Sequence, residues 1–528
     1  MRARASTPAG PTPASAPPGR RRAAPAPLER RVWLVAGVVV LGALMTILDT
    51  TIVNIAINTL AHDFDVALQT IQWVSTAYLL ALAIVIPLTG WAADRFGTKR
   101  LWMGSVALFA LGSALCAAAW SAESLIAFRV VQGVGGGMVM PAGMTVLAQT
   151  AGPDRVGRVM SIVGVPMLLG PIVGPVLGGW LVDAASWHWI FIVNVPLALI
   201  ALPLAWRILD PDVPRPAERL DAIGLALLSP GLAAFVYGLA ETSAAGGLGA
   251  ATAIVPLAAG VALVAAFVAH ALRSDHPLID LRLFRVRAFS AAAGVTLLFG
   301  TAMFGAMLLF PLYFQVVRGE SPLDAGLLMA PQGLGAAMMM PLSGRLVDRG
   351  AAGRVVLCGL PLVALGYATY TQLGADTSYL LLALSLWVAG LGTGATMMPA
   401  MAAAYQTLSR AAVPRATTAL NIIVRIGGSI GTALFAVVLQ RQLTAALPAA
   451  PRGDGSGLGA LAALPAAARD HLAPALADAF AHAFRWPVAV LLLALVPALL
   501  LPRRRPPEPA DAPAQPAAPA DAPPPAPR

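Results

Sequence analysis

Long apolar runs, separated by short polar stretches, repeat along the chain from about residue 32 to about residue 502. A membrane-spanning helix needs about 20 mostly apolar residues, and fourteen runs satisfy this length. They lie at roughly 32–60, 72–92, 101–120, 124–149, 157–182, 189–208, 221–241, 250–272, 288–316, 323–346, 354–374, 378–404, 416–439 and 484–502. The pattern predicts an all-α, polytopic membrane protein with fourteen transmembrane helices.

The composition supports a membrane protein and argues against several other classes. The chain has 528 residues, of which 58% are hydrophobic and 11% charged, whereas soluble proteins carry about 25% charged residues. The net charge of +10 does not indicate nucleic-acid binding, because the arginines lie between apolar runs and form no basic face with aromatic residues. Cys116 and Cys358 lie within apolar runs, so we expect neither a disulfide nor a metal site. No nucleotide-binding or catalytic sequence occurs, so we expect no cofactor and no enzymatic activity.

The basic residues predict how the chain is oriented in the membrane. They fall in alternate loops, as the groups Arg95/Lys99/Arg100, Arg155/Arg158, Arg207/Arg215/Arg219, Arg273/Arg282/Arg285/Arg287, Arg345/Arg349/Arg354 and Arg410/Arg415. Among the short intervening loops, Arg318 is the exception. Because cytoplasmic loops are enriched in Lys and Arg, we expect a multi-pass protein of the cytoplasmic membrane with both termini in the cytoplasm.

A weak internal repeat predicts two related halves. The stretch Gly90–Gly97 follows the second run, and a less complete copy, Gly344–Gly350, follows the tenth. Many transporters are built from such repeats. We expect a disordered cytoplasmic tail at 1–30, a six-helix bundle at 31–210, two additional transmembrane helices at 211–275, a second six-helix bundle at 276–503 with an extracytoplasmic loop at 441–484, and a disordered tail at 504–528.

Asp49 is an acid in the middle of the first apolar run. Such a residue costs about 2.5–3.5 kcal/mol on insertion scales and usually has a functional use. Arg129, in the fourth run, is predicted at a similar depth, since Asp49 lies roughly 25 Å from the inner surface and Arg129 roughly 8–9 Å from the outer one in a core about 30 Å thick. Pairing would lower the cost of both charges. We therefore predict that Asp49 and Arg129 couple transport to protons; the alternative is a purely structural ion pair.

The loop after the second run carries a candidate gating motif. Gly90 and Gly97 permit a tight turn at the helix end. Asp94 can accept hydrogen bonds from amides at a neighbouring helix N-terminus, where the helix dipole favours an anion, and Arg95 can pair with acids or lipid phosphates. Such a charged contact would hold one conformation and release in another. The alternative is a basic loop that only fixes topology.

The fifth run combines regularly spaced glycines with prolines. Gly170, Gly174 and Gly178 recur every four residues, which leaves one helix face bare and lets another backbone approach closely. Pro171 and Pro175 remove amide donors and bend the helix. We predict a pliable contact that gates the transport path, although ordinary small-residue packing would use the same residues.

Arg425, Met397 and Met398 are candidates for the substrate cavity. Arg425 lies near the middle of the thirteenth run and could contact substrate, handle a proton or bind backbone carbonyls. Methionine side chains adapt to ligands of different shape. Met397 and Met398 could equally be core or lipid-facing residues.

Four of these stretches together resemble one family. They are Gly90-x-x-x-Asp94-Arg95-x-Gly97-x-Lys99-Arg100, Leu125-x-x-x-Arg129-x-x-Gln132-Gly133, Gly164-(x5)-Gly170-Pro171-x-x-Gly174-Pro175-x-x-Gly178-Gly179 and Leu48-Asp49-Thr50-Thr51-Ile52-Val53-Asn54. They resemble the loop, fourth-helix, fifth-helix and first-helix motifs of the major facilitator superfamily, in its fourteen-helix drug:proton antiporter branch. The resemblance extends from about residue 31 to about residue 440.

The resemblance implies export of amphipathic small molecules, cationic or neutral, in exchange for protons, and hence multidrug or antibiotic resistance. The expected partners are the substrate, protons and the lipid bilayer, with no nucleic acid; an adaptor or outer-membrane partner is left open. Two alternatives remain at this stage. The chain could export one metabolite, such as a self-made antibiotic or a siderophore, or it could be a membrane-embedded binding or sensing protein that transports nothing.

Overall fold

The computed structural model describes residues 29–152, 155–212, 219–244, 250–409, 412–446 and 466–502. The regular structure of these residues is helical, with no strand among them. The long helical segments are α1 Arg30–Asp63, α2 Trp73–Phe96, α3 Thr98–Ala117, α4 Ala122–Ala151, α5 Val156–Ala184, α6 Trp189–Ile208, α7 Ala222–Ala244, α8 Ala251–Arg273, α9 Arg287–Val317, α10 Pro322–Asp348, α11 Ala352–Gln372, α12 Tyr379–Tyr405, α13 Val413–Ala446 and α14 Ala466–Leu499. The predicted all-α fold is confirmed.

The helices correspond to the apolar runs one by one. Within the described residues, thirteen are long and apolar enough to cross a membrane. The remaining helix, α5, has 29 residues and occupies the place of the predicted run 157–182. At the other end of the chain, α14 runs without interruption from Ala466 to Leu499. Residues 466–484, predicted as the last part of the extracytoplasmic loop, and the last predicted run therefore form one helix. Residues 1–28 and 503–528, which hold nearly all of the two predicted tails, lie outside the described residues.

The helices pack in two groups with a hairpin between them. The N-terminal half consists of α1–α6 and the C-terminal half of α9–α14, each with extensive contacts among its own helices. The hairpin α7–α8 is closely packed on itself, and α7 also contacts α2 and α13, one helix from each half. The hydroxyl of Ser229 in α7 donates to the carbonyl of Ile84, 2.6 Å away, just before a tight turn in α2 at Ile86–Leu88.

Asp221 holds the base of this hairpin. Its carboxylate accepts from the amides of Gly224, 2.8 Å away, and Leu278, 3.0 Å away, and contacts the His270 ring at 2.8 Å. Burial alone would raise the pKa of Asp221, but these hydrogen bonds stabilise the charged form and leave the pKa lowered. Asp221 thus stays ionised at neutral pH and ties the start of α7 to the end of α8 and the following loop.

The helix ends beside the arginine-rich loops lie together on one side of the molecule, which we call the basic face. Here Arg31 pairs with Asp210, and Arg155 pairs with Glu29 at 2.7 Å. The amide of Gly353, at the start of α11, donates to the carbonyl of Pro502, just after α14, at 3.2 Å. The basic face thus joins the first and last helices to their neighbours.

Arg318, the exception among the short loops, lies on the opposite face. Its guanidinium donates to the carbonyl of Thr377 and to the hydroxyl of Tyr379, both at 3.1 Å, and also bonds the carbonyl of Ala375. It stacks on the Tyr379 ring at 4.2 Å. Arg318 therefore joins the loop after α9 to the loop before α12.

Candidate functional site

Asp49 and Arg129 form an ion pair inside the N-terminal half. The Arg129 Nη1 lies 2.6 Å from the Asp49 Oδ2, and each residue is 1% exposed. The Arg129 Nε donates to the carbonyl of Val74 in α2 at 3.0 Å. The pair therefore connects α1, α2 and α4 deep within apolar helices.

Gln132 forms hydrogen bonds with both members of the pair. It was not among the site residues predicted from the sequence. Its side-chain amide donates to the second oxygen of Asp49, at 2.8 Å, and its carbonyl accepts from Arg129 Nη1 at 2.6 Å. It also donates to Ser113 of α3 at 2.6 Å. The available signal was its position three residues after Arg129, since side chains at this spacing share a helix face.

Aromatic rings cover the guanidinium. The Arg129 Cζ lies 4.0 Å from the centroid of the Tyr78 ring and 5.8 Å from that of Phe191. Arg129, Asp49 and Gln132 thus form a buried, closely hydrogen-bonded cluster, and both carboxylate oxygens of Asp49 accept hydrogen bonds. A proton taken up by Asp49 would remove its charge and weaken its contact with Arg129, which is the chemical change that this cluster can undergo.

Two glycines of the fifth-helix motif pack against the residues that follow Asp49 in α1. A Cβ atom added at Gly174 would overlap the Thr51 hydroxyl, and one at Gly178 would lie 3.0 Å from Ile52 Cγ2. Here α5 therefore contacts the segment of α1 that carries Asp49. Gly170, Pro171 and Pro175 belong to the same continuous helix, but their surroundings lie outside the described residues.

Replacing Gly174 with valine should separate α5 from α1 at Asp49. Overpacking of this kind costs about 1–3 kcal/mol, so we expect a lower melting temperature for the purified protein and a lower transport rate. Gly179→Val is the matched control, because it places the same β-branched residue in the same helix where an added Cβ meets nothing within 4 Å. Equal losses in the two variants would show that helix propensity, and not the contact with Thr51, is responsible.

The gating motif contacts the C-terminal half at the basic face. The Asp94 Oδ2 lies 3.5 Å from the Arg415 Nε at the start of α13, and both side chains are partly exposed. A Cβ at Gly90 would lie 3.2 Å from the Thr418 hydroxyl. The Gly90–Asp94 stretch therefore lies against the first turns of α13, and Asp94 contacts a side chain there.

Gly97 and Arg95 have different surroundings. Gly97 has φ +89°, a backbone conformation that favours glycine, and Asp212 lies against it. Asp212 accepts from the amides of Lys99, 2.8 Å away, and Arg100, 3.0 Å away, at the start of α3. Arg95 is exposed. Asp212 was missed by the sequence reasoning, since it follows α6 and is remote from the motif along the chain.

The second copy of the motif makes the tighter contact between the halves. Asp348 accepts from the amide of Gly157 at 2.9 Å and from Arg158 Nε at 2.5 Å, both at the start of α5. The Asp348 side chain is 0% exposed. A Cβ at Gly344 would lie 2.8 Å from the Arg158 Cα. The incomplete second copy was not predicted as a gate, yet its acid binds a helix N-terminus as expected for Asp94.

Met398 lies where the halves meet, above this contact. A Cβ at Gly164 of α5 would lie 3.1 Å from Met398 Cγ and 2.9 Å from Met340 Sδ. Met398 is 1% exposed, and the adjacent Met397 is half-buried. Met398 thus packs against α5 in this structure.

Arg425 lies on α13 and is exposed. No ion pair or hydrogen bond of Arg425 is found within the described part of the chain. Arg425 thus lies on the C-terminal half, whereas the Asp49–Arg129 pair lies on the N-terminal half.

A sequence-family comparison identifies the fold and the class of protein. Residues 39–432 match the model of the Major Facilitator Superfamily. The chain belongs to this superfamily. It is a multi-pass membrane transporter and not an enzyme, as its sequence motifs indicated.

Named relatives cover most of the chain. It is 43% identical over 509 residues to a "Multidrug resistance protein B homolog" of Mycobacterium tuberculosis, covering 94% of both chains. It is 37% identical over 356 residues to the "Putative multidrug resistance protein MdtD" of Serratia proteamaculans, covering 66% of this chain and 72% of the relative. The human organic anion transporter MFSD10 has a similar structure, with a TM-score of 0.56, 16% identity and coverage of 88% and 100% of the two chains. At that identity the likeness concerns the fold alone.

Proposed function

We propose that this transporter exports amphipathic, drug-like small molecules in exchange for protons and that Asp49 is the proton-binding group. The observation that carries the proposal is the buried contact of Asp49 with Arg129 at 2.6 Å. Intramembrane acids paired with a cation commonly mark proton paths. The names of the relatives from M. tuberculosis and S. proteamaculans support drugs as the cargo.

The proposed cycle is alternating access between two states. The basic face lies in the cytoplasm, in agreement with the positive-inside rule. Uptake of an external proton by Asp49 weakens its attraction to Arg129, and the return to the inward-open state carries the proton inward. One proton crossing about 100 mV releases about 2.3 kcal/mol. This corresponds to a substrate gradient of roughly 50-fold, since about 1.4 kcal/mol is one decade.

Contacts between the two halves support an assignment of the state. The pairs Asp348–Arg158 and Asp94–Arg415 both lie at the basic face, and Gly164 meets Met398 further along α5. We assign this arrangement to the state that is closed toward the cytoplasm. During the transport cycle, residues 31–210 and 276–503 move as two bundles. The gating residues of both motif copies separate when the path opens toward the cytoplasm.

Inverted membrane vesicles with an imposed pH gradient test the proposal. Their acidic lumen corresponds to the cell exterior. Phenylnaphthylamine, a neutral amphipathic dye, should be taken up and should dissipate the gradient faster than in vesicles without the transporter. A dye that binds the purified protein and yet leaves the gradient unchanged would instead favour a binding or sensing role.

A further inference from the structure

The helix α2 is interrupted by a short 3₁₀ turn at Ile86–Leu88. In this turn the amide of Thr89 donates to the carbonyl of Ile86, three residues back along the chain instead of four. Pro87 has no amide proton, so it cannot donate to the preceding helical turn. A 3₁₀ stretch in the middle of a helix often marks a hinge, which makes this turn the place where α2 can change its bend.

The two parts of α2 on either side of this turn contact different halves of the protein. Before the turn, α2 packs closely on α4. A Cβ at Gly133 would lie 2.8 Å from the Tyr78 carbonyl oxygen, and one at Gly137 would lie 3.2 Å from the Leu82 Cα. After the turn, the Gly90–Asp94 stretch lies against α13. The turn therefore separates a part fixed within the N-terminal half from a part that contacts the C-terminal half.

Ser229 of α7 binds α2 at this turn. Its hydroxyl donates to the carbonyl of Ile84 at 2.6 Å, and the residue is 3% exposed. Within a membrane, serine side chains of neighbouring helices can satisfy backbone groups where a proline breaks a helix. A carbonyl without a partner is costly there because no water replaces the lost donor. The Ser229 hydroxyl therefore stabilises the bent form of α2.

The hairpin α7–α8 contacts both halves at once. The helix α7 packs on α2 and on α13, and Asp221 at the start of α7 accepts from the amide of Leu278, in the loop that leads to α9. Two halves that rock against each other cannot both keep fixed contacts with one helix. Because α13 and the loop before α9 belong to the C-terminal side, the contact of Ser229 with α2 is the one that changes.

We propose that Ser229 is a positioning residue for transport, which holds α2 bent at Ile86–Leu88 while the cytoplasmic side is closed and releases it when that side opens. The bend directs the Gly90–Asp94 stretch toward α13, so the hydroxyl acts on the gate through α2. The inference rests on the alternating-access cycle of the proposed function. It gives a task to α7 and α8, the two helices that lie outside the six-helix bundles.

Ser229→Ala should raise the ratio of molecules that are open to molecules that are closed toward the cytoplasm. The loss of one neutral hydrogen bond corresponds to a change of about two- to tenfold in this ratio. Spin labels at Arg100→Cys and Arg354→Cys, two exposed positions at the basic face, report it as a distance between the halves, once the exposed Cys358 is replaced. The distance is measured in the otherwise unaltered protein and in Asp348→Ala, where the loss of a contact between the halves raises the open fraction.

Thr242→Val is the matched control on the same helix. The Thr242 hydroxyl is also buried, but it donates to the carbonyl of Gly238 within α7, at 2.8 Å. Valine keeps the shape of the side chain and removes the same kind of bond without affecting α2, so the ratio should stay unchanged. Lower melting temperatures in both variants with an unchanged ratio in both would show that Ser229 only stabilises the fold, and would overturn the proposal.

Pro87→Ala tests whether the hydroxyl acts through the bend. Alanine restores an amide donor and lets α2 continue as a straight helix, which leaves Ser229 no bend to stabilise. Adding Ser229→Ala to this variant should therefore change the ratio much less than it does in the protein that keeps Pro87. Residues that act through one structural element show such non-additivity in a double-mutant cycle. The same fold-change in both proteins would mean that the turn plays no part, and the proposal would fail.

Dye transport separates a failure of this inference from a failure of the proposed function. The pH-driven uptake of phenylnaphthylamine by inverted vesicles is measured for the same proteins. A raised ratio in Ser229→Ala, in a protein that never takes up the dye, would contradict proton-coupled export and support the positioning role. Normal uptake by the unaltered protein, together with an unchanged ratio in Ser229→Ala, would overturn the positioning role alone.

Discussion

Asp49→Asn should abolish proton-driven accumulation of phenylnaphthylamine in inverted vesicles. The variant keeps the size of the side chain but cannot lose or gain a proton, so the contact with Arg129 no longer changes during the cycle. With one proton exchanged per dye molecule, the dye gradient should fall from about tenfold for each unit of imposed pH difference to none. Uptake of the dye and acidity of the lumen, followed together with two fluorophores, measure this loss.

A second variant distinguishes loss of proton coupling from misfolding. Asp49→Asn leaves Arg129 as a buried charge without its counter-ion, and breaking such a pair costs about 3–5 kcal/mol. The double variant Asp49→Asn/Arg129→Gln removes both charges, and we expect it to fold, to exchange dye down a gradient and to show no coupling to protons. If the double variant still accumulates dye at the normal rate in response to a pH gradient, the proton is bound elsewhere and the Asp49–Arg129 pair is structural.

Asp348→Ala should open the basic face. In the unaltered protein the Asp348 carboxylate is buried between the halves and accepts from Arg158 and from the Gly157 amide. The substitution removes this carboxylate. Loss of a hydrogen-bonded charge costs about 1.5–3 kcal/mol, so the ratio of open to closed molecules should rise by about tenfold or more. Spin labels at Arg100→Cys and Arg354→Cys, both exposed, report the distance between the halves by double electron–electron resonance.

Asp94→Ala is the matched control for this experiment. The Asp94–Arg415 contact is longer, at 3.5 Å, and both side chains are partly exposed. Exposed pairs contribute about 0–1 kcal/mol, so the shift should stay below about fivefold. The labels require replacement of the exposed Cys358. A larger shift for Asp94→Ala than for Asp348→Ala would show that the first copy of the motif makes the stronger contact between the halves. It would contradict the greater strength that we infer for the Asp348 contact from its burial.

The sequence by itself determined the helices and the class of protein. Each apolar run became a helix because a chain in lipid must satisfy its backbone hydrogen bonds within each segment. Asp49 and Arg129 were predicted as a pair on the same ground, since two charges in apolar helices at equal depth stabilise each other. These features depend on local composition and depth alone, which a sequence displays directly.

Tertiary structure alone decided which side chains meet across helices. Gln132 could be placed on the same face as Arg129, but its bonds to Asp49 and Ser113 depend on how closely α1 and α3 approach α4. Asp212 and Asp348 bind the starts of α3 and α5, which lie far from them along the chain. Such contacts depend on helix rotation and register, and an apolar pattern common to all faces of a membrane helix leaves both undetermined.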